Sequence, residues 1–165
     1  KKILADIIIW TAGVRASSFL KSISGLRLDS RGRILVNEFM QAEGWENIWA
    51  VGDNTVFIDQ TTKKPIPGLA YVAVAQGKIV AENIRRKAKK IPTFKKYTPF
   101  YGVWIAVGGG KFAVAHLGDS LTISGIAGWL VRMIVDLRYF NSILPLSRAI
   151  NLFEEDIRVF TKNDT

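Results

Sequence analysis

Four apolar residues in a row, Ile7-Ile8-Ile9-Trp10, follow Asp6 and stop at Thr11-Ala12-Gly13. A continuous, largely β-branched run predicts a strand covered on both faces, as in a parallel sheet. Asn47-Ile48-Trp49-Ala50-Val51 predicts a second covered strand, ended by Gly52-Asp53. Between them, Ser17 to Ser24 predicts a short helix or a loop. Asp29-Ser30-Arg31-Gly32-Arg33 has turn chemistry, and Ile34-Leu35-Val36 reads as a strand. Thr61 to Gly68, with Pro65 and Pro67, is a loop. Leu69 to about Lys89 is helical, with a small-residue, apolar surface of Ala70, Ala73, Val74, Gly77, Ile79, Val80, Ala81 and Ile84. Such a surface suits close approach to a sheet or a ligand. The basic run Arg85-Arg86-Lys87 with Lys89-Lys90 complements the C-terminal end of the helix dipole.

Pro92 and Pro99 bracket a boundary, and the period then changes. Tyr101 to Val107, Lys111 to Leu117 and Leu121 to Ile123 are short strands. Gly108-Gly109-Gly110 and Gly118-Asp119-Ser120 separate them, which is the pattern of a β-meander. From Gly125 to Phe140 the apolar positions fall at helical spacing: Ile126, Trp129, Leu130, Met133, Ile134, Leu137 and Phe140. Pro145 to Phe153 predicts a second short helix, and the charged tail from Glu154 is expected to fray. The expected fold class is α/β, α+β within this stretch, with residues 1–92 in one domain and residues 93–165 forming the meander and terminal helices.

Composition narrows the chemistry. At 48% apolar, the 165 residues can form a sizeable core. A formal net charge of +9 favours anionic surroundings without choosing between phospholipid and nucleic acid. No cysteine is present, which excludes disulfides, thiolate metal sites and a cysteine nucleophile within this stretch. His116 is the only histidine, so no histidine cluster can hold a metal. The chain opens almost directly on an apolar strand, without methionine or a signal-peptide pattern, and reads as the second part of a longer protein.

Gly108-Gly109-Gly110 is not a phosphate loop, because Lys111 to Leu117 alternate like a strand instead of opening a helix. His116 falls at a strand end with no obvious partner. The basic run from Arg85 to Lys96 lacks interleaved aromatics, so a solvated helix end is expected, with a lipid-facing patch as the alternative, and nucleic acid is not. The stripe from Gly125 to Phe140 is too short and too charged to span a bilayer. It suits either a packed amphipathic helix or one lying in a membrane interface. In the second case Trp129 and Tyr139 would sit at headgroup level, with Arg132 and Arg138 near phosphates. Asp53 ends a predicted strand, where open parallel sheets bind ligands, and a helix start follows at Gly68-Leu69-Ala70. A carboxylate accepting ligand hydroxyls beside helix N-terminal amides is a chemically sensible pair.

Ala5-Asp6-Ile7-Ile8-Ile9-Trp10-Thr11-Ala12-Gly13-Val14 resembles the segment by which flavoproteins with two dinucleotide folds leave the NAD domain. Asn47-Ile48-Trp49-Ala50-Val51-Gly52-Asp53 is similar to their second FAD fingerprint. Pro67 to Gly77 followed by Ala81-Glu82-Asn83-Ile84 is similar to the flavin helix that comes next. The order and spacing resemble those of type II NADH dehydrogenases, the single-subunit NADH:quinone oxidoreductases. The resemblance implies part of an FAD-binding, Rossmann-like domain, then a β-meander and C-terminal amphipathic helices. It implies FAD as cofactor and NADH as substrate, with quinone and an anionic membrane surface as partners and a homodimer left open. The location implied is the cytoplasmic face of the cell membrane, held peripherally. Asp53 would bind the ribityl chain, with Gly52 and Gly13 also at the cofactor. The amides of Ala70 and Tyr71 would face the flavin N1/O2 edge. Tyr71, Ala75 and Gln76 would lie on the quinone side, although Ala70-Tyr71 and Ala75-Gln76 replace the pairs many members carry there.

The glycine-rich first FAD fingerprint and a complete NAD domain lie outside this stretch, so alone it is expected to bind FAD weakly or not at all and to leave NADH unoxidised. A sulfide:quinone oxidoreductase-like enzyme is the near alternative, against which the lack of cysteine weighs. A disulfide reductase is disfavoured, because His116 has no glutamate near it in sequence. A basic, non-enzymatic membrane- or nucleic-acid-binding module is the alternative of another class.

Overall fold

The computed structural model describes residues 3–11, 13–118 and 120–162. Ala12 at the end of the first expected strand, Asp119 in the second expected turn, and residues 163–165 of the tail lie outside them. The chain divides into two compact units, the first ending at Tyr101 and the second beginning at Gly102.

The first expected strand is not formed. Residues 3–11 make no ladder, and Ile7, Ile8, Ile9 and Trp10 are 79–83% exposed. A covered strand needs hydrogen-bonding neighbours and packed layers on both faces. No described segment of this chain supplies either to residues 7–10.

Elsewhere in the first unit the core is tight. Ser18–Ser22 is a 3-10 turn started by Ser17, whose hydroxyl accepts the Phe19 N–H. Asp29 organises the predicted turn: its carboxylate accepts the amides of Arg31 and Arg33 at 2.9 and 2.8 Å and pairs with the Arg33 guanidinium. β1 is Ile34–Leu35 and β2 is Thr55–Val56, paired in parallel with Ile34 opposite Thr55. The second expected strand, Asn47 to Val51, is corrected. It makes only a bridge from Trp49 to Gln41, and the parallel strand lies after Gly52-Asp53 instead of before it. Ile34, Val36, Met40, Phe57, Val72 and Tyr97 form the buried centre.

α1 spans Ala70–Ala88. Its inward face follows the predicted small-residue surface in part: Ala73 meets Gly52, and Ile79 and Val80 pack on the core. Val72, Gln76 and Asn83 are buried, whereas Val74 and Ile84 are 39% and 48% exposed. The loops against the helix leave backbone groups that apolar side chains cannot satisfy. Asn83 meets three of them: its Nδ2 donates to the Phe39 and Lys95 carbonyls, and its Oδ1 accepts the Lys95 N–H at 2.7 Å.

The second unit holds β3 (Val103–Gly109), β4 (Phe112–Leu117) and β5 (Leu121–Ser124), then α2 (Gly125–Ile143) and α3 (Leu146–Thr161). The strands form the antiparallel meander β3-β4-β5, with an irregularity between Val107 and Gly109 before the turn. Ala113 and Ala115 of the central strand are fully buried, and α2 comes so close to β4 that only glycine fits at 128. α3 continues well past Glu154, which corrects the expected fraying. Asp156 pairs with Arg132 of α2, and the Phe160 ring lies 3.8 Å from the Arg132 guanidinium carbon. Among the described residues no helix is long and apolar enough to cross a membrane.

Candidate functional site

The strongest site in the first unit forms where Gly52-Asp53 meets the start of α1. Gly52 begins a short 3-10 turn, Gly52–Asn54, with φ at +70°, a region that favours glycine. A Cβ there would stand 3.3 Å from the Ala73 Cβ, so the turn is pressed against the helix. Both ends of the Gly52 residue are held. Its N–H donates to Gln76 Oε1 at 2.7 Å, and its carbonyl accepts the Thr55 hydroxyl at 2.8 Å.

Asp53 is exposed, and no described residue hydrogen-bonds its carboxylate. The carboxylate lies against Gly68, where an added Cβ would be 2.7 Å from Oδ1. Gly68 therefore leaves room for the acid beside the helix start. Leu69, the N-cap of α1, offers no side-chain cap, so first-turn amides have no side-chain acceptor. A cleft of about 160 Å³ connects these groups, lined by Asp53, Gly68, Leu69 and Gln76 together with Arg31 and Arg33. A free carboxylate, uncapped amides and nearby guanidinium groups fit a ligand that carries both hydroxyls and anionic or carbonyl oxygens.

The other residues singled out in the sequence scatter. Gly13 has φ of +86° and is exposed; its neighbour Val14 reaches the cleft, but Gly13 does not line it. Ala70 and Tyr71 are the first residues of α1, yet the Tyr71 ring packs towards Phe100 at 6.3 Å and its hydroxyl is buried without a partner. Ala75 is exposed, whereas Gln76 is 2% exposed in the cleft wall. Tyr71 and Ala75, four positions apart, share one face of α1, whereas Gln76 points about 100° from Ala75, into the cleft wall. Arg31, Arg33, Thr55 and Gly68 were not marked as site residues. The turn Asp29 to Arg33 placed two arginines next to β1, and that was the available signal.

In the second unit, Arg132 is corrected. It is buried, with Nε 3.0 Å from Asp136 and Nη2 3.4 Å from Asp156, so its charge is engaged inside the unit. Burial raises the Asp136 carboxyl above its ordinary range despite Arg132. Trp129 is half-buried, with its indole N–H enclosed and unpartnered, which does not suit a headgroup contact. Arg138 and Tyr139 are exposed. The stripe itself divides: Met133 is buried, while Ile126, Leu130 and Ile134 are 51–68% exposed. His116 stacks on Trp104 at 5.3 Å and pairs with the Thr122 hydroxyl, a surface arrangement within the sheet.

Residues 1–77 match the model of the pyridine nucleotide-disulphide oxidoreductase family. Type II NADH:quinone oxidoreductases from Staphylococcus aureus strains NCTC 8325 / PS 47 and COL are each 37% identical over 83 residues. That stretch is 50% of this chain and 20% of the relative, so the match spans about a fifth of the length of these proteins. An FAD-dependent pyridine nucleotide-disulphide oxidoreductase from Desulfovibrio vulgaris superposes with a TM-score of 0.52 and 27% identity, over 68% of this chain and 27% of that one. An NAD-dependent persulfide reductase from A. fulgidus gives a TM-score of 0.52 and 27% identity, over 70% of this chain and 20% of that one.

Proposed function

We propose that this chain, whose residues 1–77 match the model of the pyridine nucleotide-disulphide oxidoreductase family, is part of an FAD-dependent NADH dehydrogenase that delivers electrons to quinone at a membrane surface. The observation that carries the reading is the unpartnered Asp53 carboxylate, set against Gly68 at the uncapped start of α1. The likeness to type II NADH:quinone oxidoreductases over 83 residues supports the choice of acceptor.

Bound FAD would supply the redox chemistry, taking electrons as hydride from NADH and passing them on. This chain's own residues would bind and orient it. Asp53 accepts ribityl hydroxyls. The uncapped first-turn amides of α1 would hold an electron-rich part of the cofactor and favour negative charge there. Arg31 offers a cation to anionic groups in the cleft, while the neighbouring Arg33 is paired with Asp29. The exposed Ile126, Leu130 and Ile134, with Arg138 on the same helix, would contact the membrane surface where quinone resides.

The test is NADH oxidation with a soluble quinone by the intact protein, together with flavin content. Asp53→Ala is expected to lower flavin occupancy at least tenfold, since it removes a charge-assisted hydrogen bond of about 1.5–3 kcal/mol. Full occupancy and activity in that variant would refute the ribityl role. NADH oxidation that ignores quinone but reduces a disulfide or persulfide would move the protein to another branch of the family.

A further inference from the structure

Gln76 lies in the second turn of α1 and is 2% exposed. One end of its amide is fixed: Oε1 accepts the Gly52 N–H at 2.7 Å. Gly52 can only donate there, so the amide cannot be turned around without losing that bond. The nitrogen end must then be a donor. Nε2 has no hydrogen-bond partner among the described residues, and the residue lines the same cleft as Asp53 and Gly68. Nε2 is not among the enclosed polar atoms that lack a partner, so the donor opens to the cleft that Gln76 lines and is available to a ligand there.

Resting on the flavin reading above, we propose that Gln76 is a two-ended residue of the binding site: Oε1 positions the Gly52-Asp53 turn, and Nε2 donates to an acceptor oxygen of the bound flavin. Gly52 is the hinge of this arrangement. Gln76 holds its N–H and Thr55 holds its carbonyl, so the backbone that carries Asp53 is fixed relative to α1. The same helix that lends its N-terminal amides thereby also sets the carboxylate opposite them. This assigns Gln76 to the cofactor side in place of the quinone side.

Two substitutions separate the two ends. Gln76→Glu keeps an acceptor for Gly52 and removes the donor. Gln76→Met keeps the length and removes both. Hydrogen exchange of the Gly52 amide is read by NMR without flavin, and binding of riboflavin and FAD is read by fluorescence titration. Gln76→Glu is expected to preserve slow Gly52 exchange and weaken flavin binding at least tenfold. Gln76→Met is expected to speed Gly52 exchange at least tenfold and to weaken binding as well. Equal losses for riboflavin and FAD assign the acceptor to the ring or ribityl chain, and a loss confined to FAD assigns it to phosphate. Unchanged Gly52 exchange in Gln76→Met overturns the positioning role. Unchanged affinity in Gln76→Glu overturns the donor role, and this variant decides the matter if Gln76→Met fails to fold by circular dichroism. All titrations use the intact protein; intact wild type that takes up neither riboflavin nor FAD removes the flavin reading and the donor role with it, while Gly52 exchange still decides the positioning role.

Discussion

Two helical glycines should respond to alanine with opposite signs. Gly128, in the first turns of α2, faces β4 and β5. A Cβ there would lie 2.2 Å from the Ala113 carbonyl oxygen and 2.9 Å from that of Ile123. Both neighbours are strand backbone, which cannot rotate away as a side chain could. The helix must lift off a sheet whose Ala113 and Ala115 are fully buried. Overpacking of this kind costs about 1–3 kcal/mol, and two backbone obstacles put it near 3. Alanine returns about 1 kcal/mol of helix propensity. The net is a loss of about 2 kcal/mol. Gly77 sits inside α1 with helical φ and nothing within 4 Å of a Cβ, so only the propensity gain of about 1 kcal/mol applies there. Native-state hydrogen exchange reads each unit separately. Gly128→Ala should speed exchange of the slowest β4 amides about 30-fold, and Gly77→Ala should slow those of α1 about fivefold. Unchanged or slower β4 exchange in Gly128→Ala would refute the close approach of α2 to the sheet.

Gly68→Ala should leave the melting temperature unchanged or slightly raised but weaken flavin binding in titrations, since its Cβ would displace only the end of the exposed Asp53 side chain. Glu82 is held at a pKa of about 2 by hydrogen bonds from Arg85 and Arg86. A depressed carboxyl favours the folded state above its unfolded pKa of about 4.3. Its contribution is lost as pH falls from there towards 2, and a carboxyl-carbon NMR titration with an ordinary midpoint would contradict the clamp. Arg132→Met should destabilise the second unit by about 3 kcal/mol in urea unfolding, because Asp136 and Asp156 would be left without a buried counter-charge.

How much of this was legible in the sequence follows from the range of the forces involved. The meander, α1 and α2 each announce themselves through periodicity and turn glycines, because their hydrogen bonds run within an element or to the next strand. Asp29 to Arg33 is equally local, with the side chain of one residue satisfying amides two and four positions on. Gly52-Asp53 was recognisable as a site because a carboxylate and a glycine at the end of an apolar run form a short-range pattern. Its local form was not recognisable: Asn47 to Val51 is apolar enough for a strand, but pairing is decided by the neighbour, and β1 pairs beyond Asp53.

What the sequence determined by itself is the kind and order of α1, the three meander strands, α2 and α3. Tertiary structure decided which face of each helix turns inward. Composition favours the alanines and valines of α1, yet loop backbone groups at Gly52, Phe39 and Lys95 require partners, so Gln76 and Asn83 are drawn inside. Arg132 reads as a surface charge until α3 brings Asp156 and Phe160 to it. In both helices the buried polar groups share the inward face with apolar neighbours: Gln76 and Asn83 fall at helical spacing from Val72, and Arg132 from Gly128. The physical reason is that hydrophobic pattern encodes transfer from water, whereas hydrogen-bond partners lie 12 to 44 residues away and are fixed only when the chain folds.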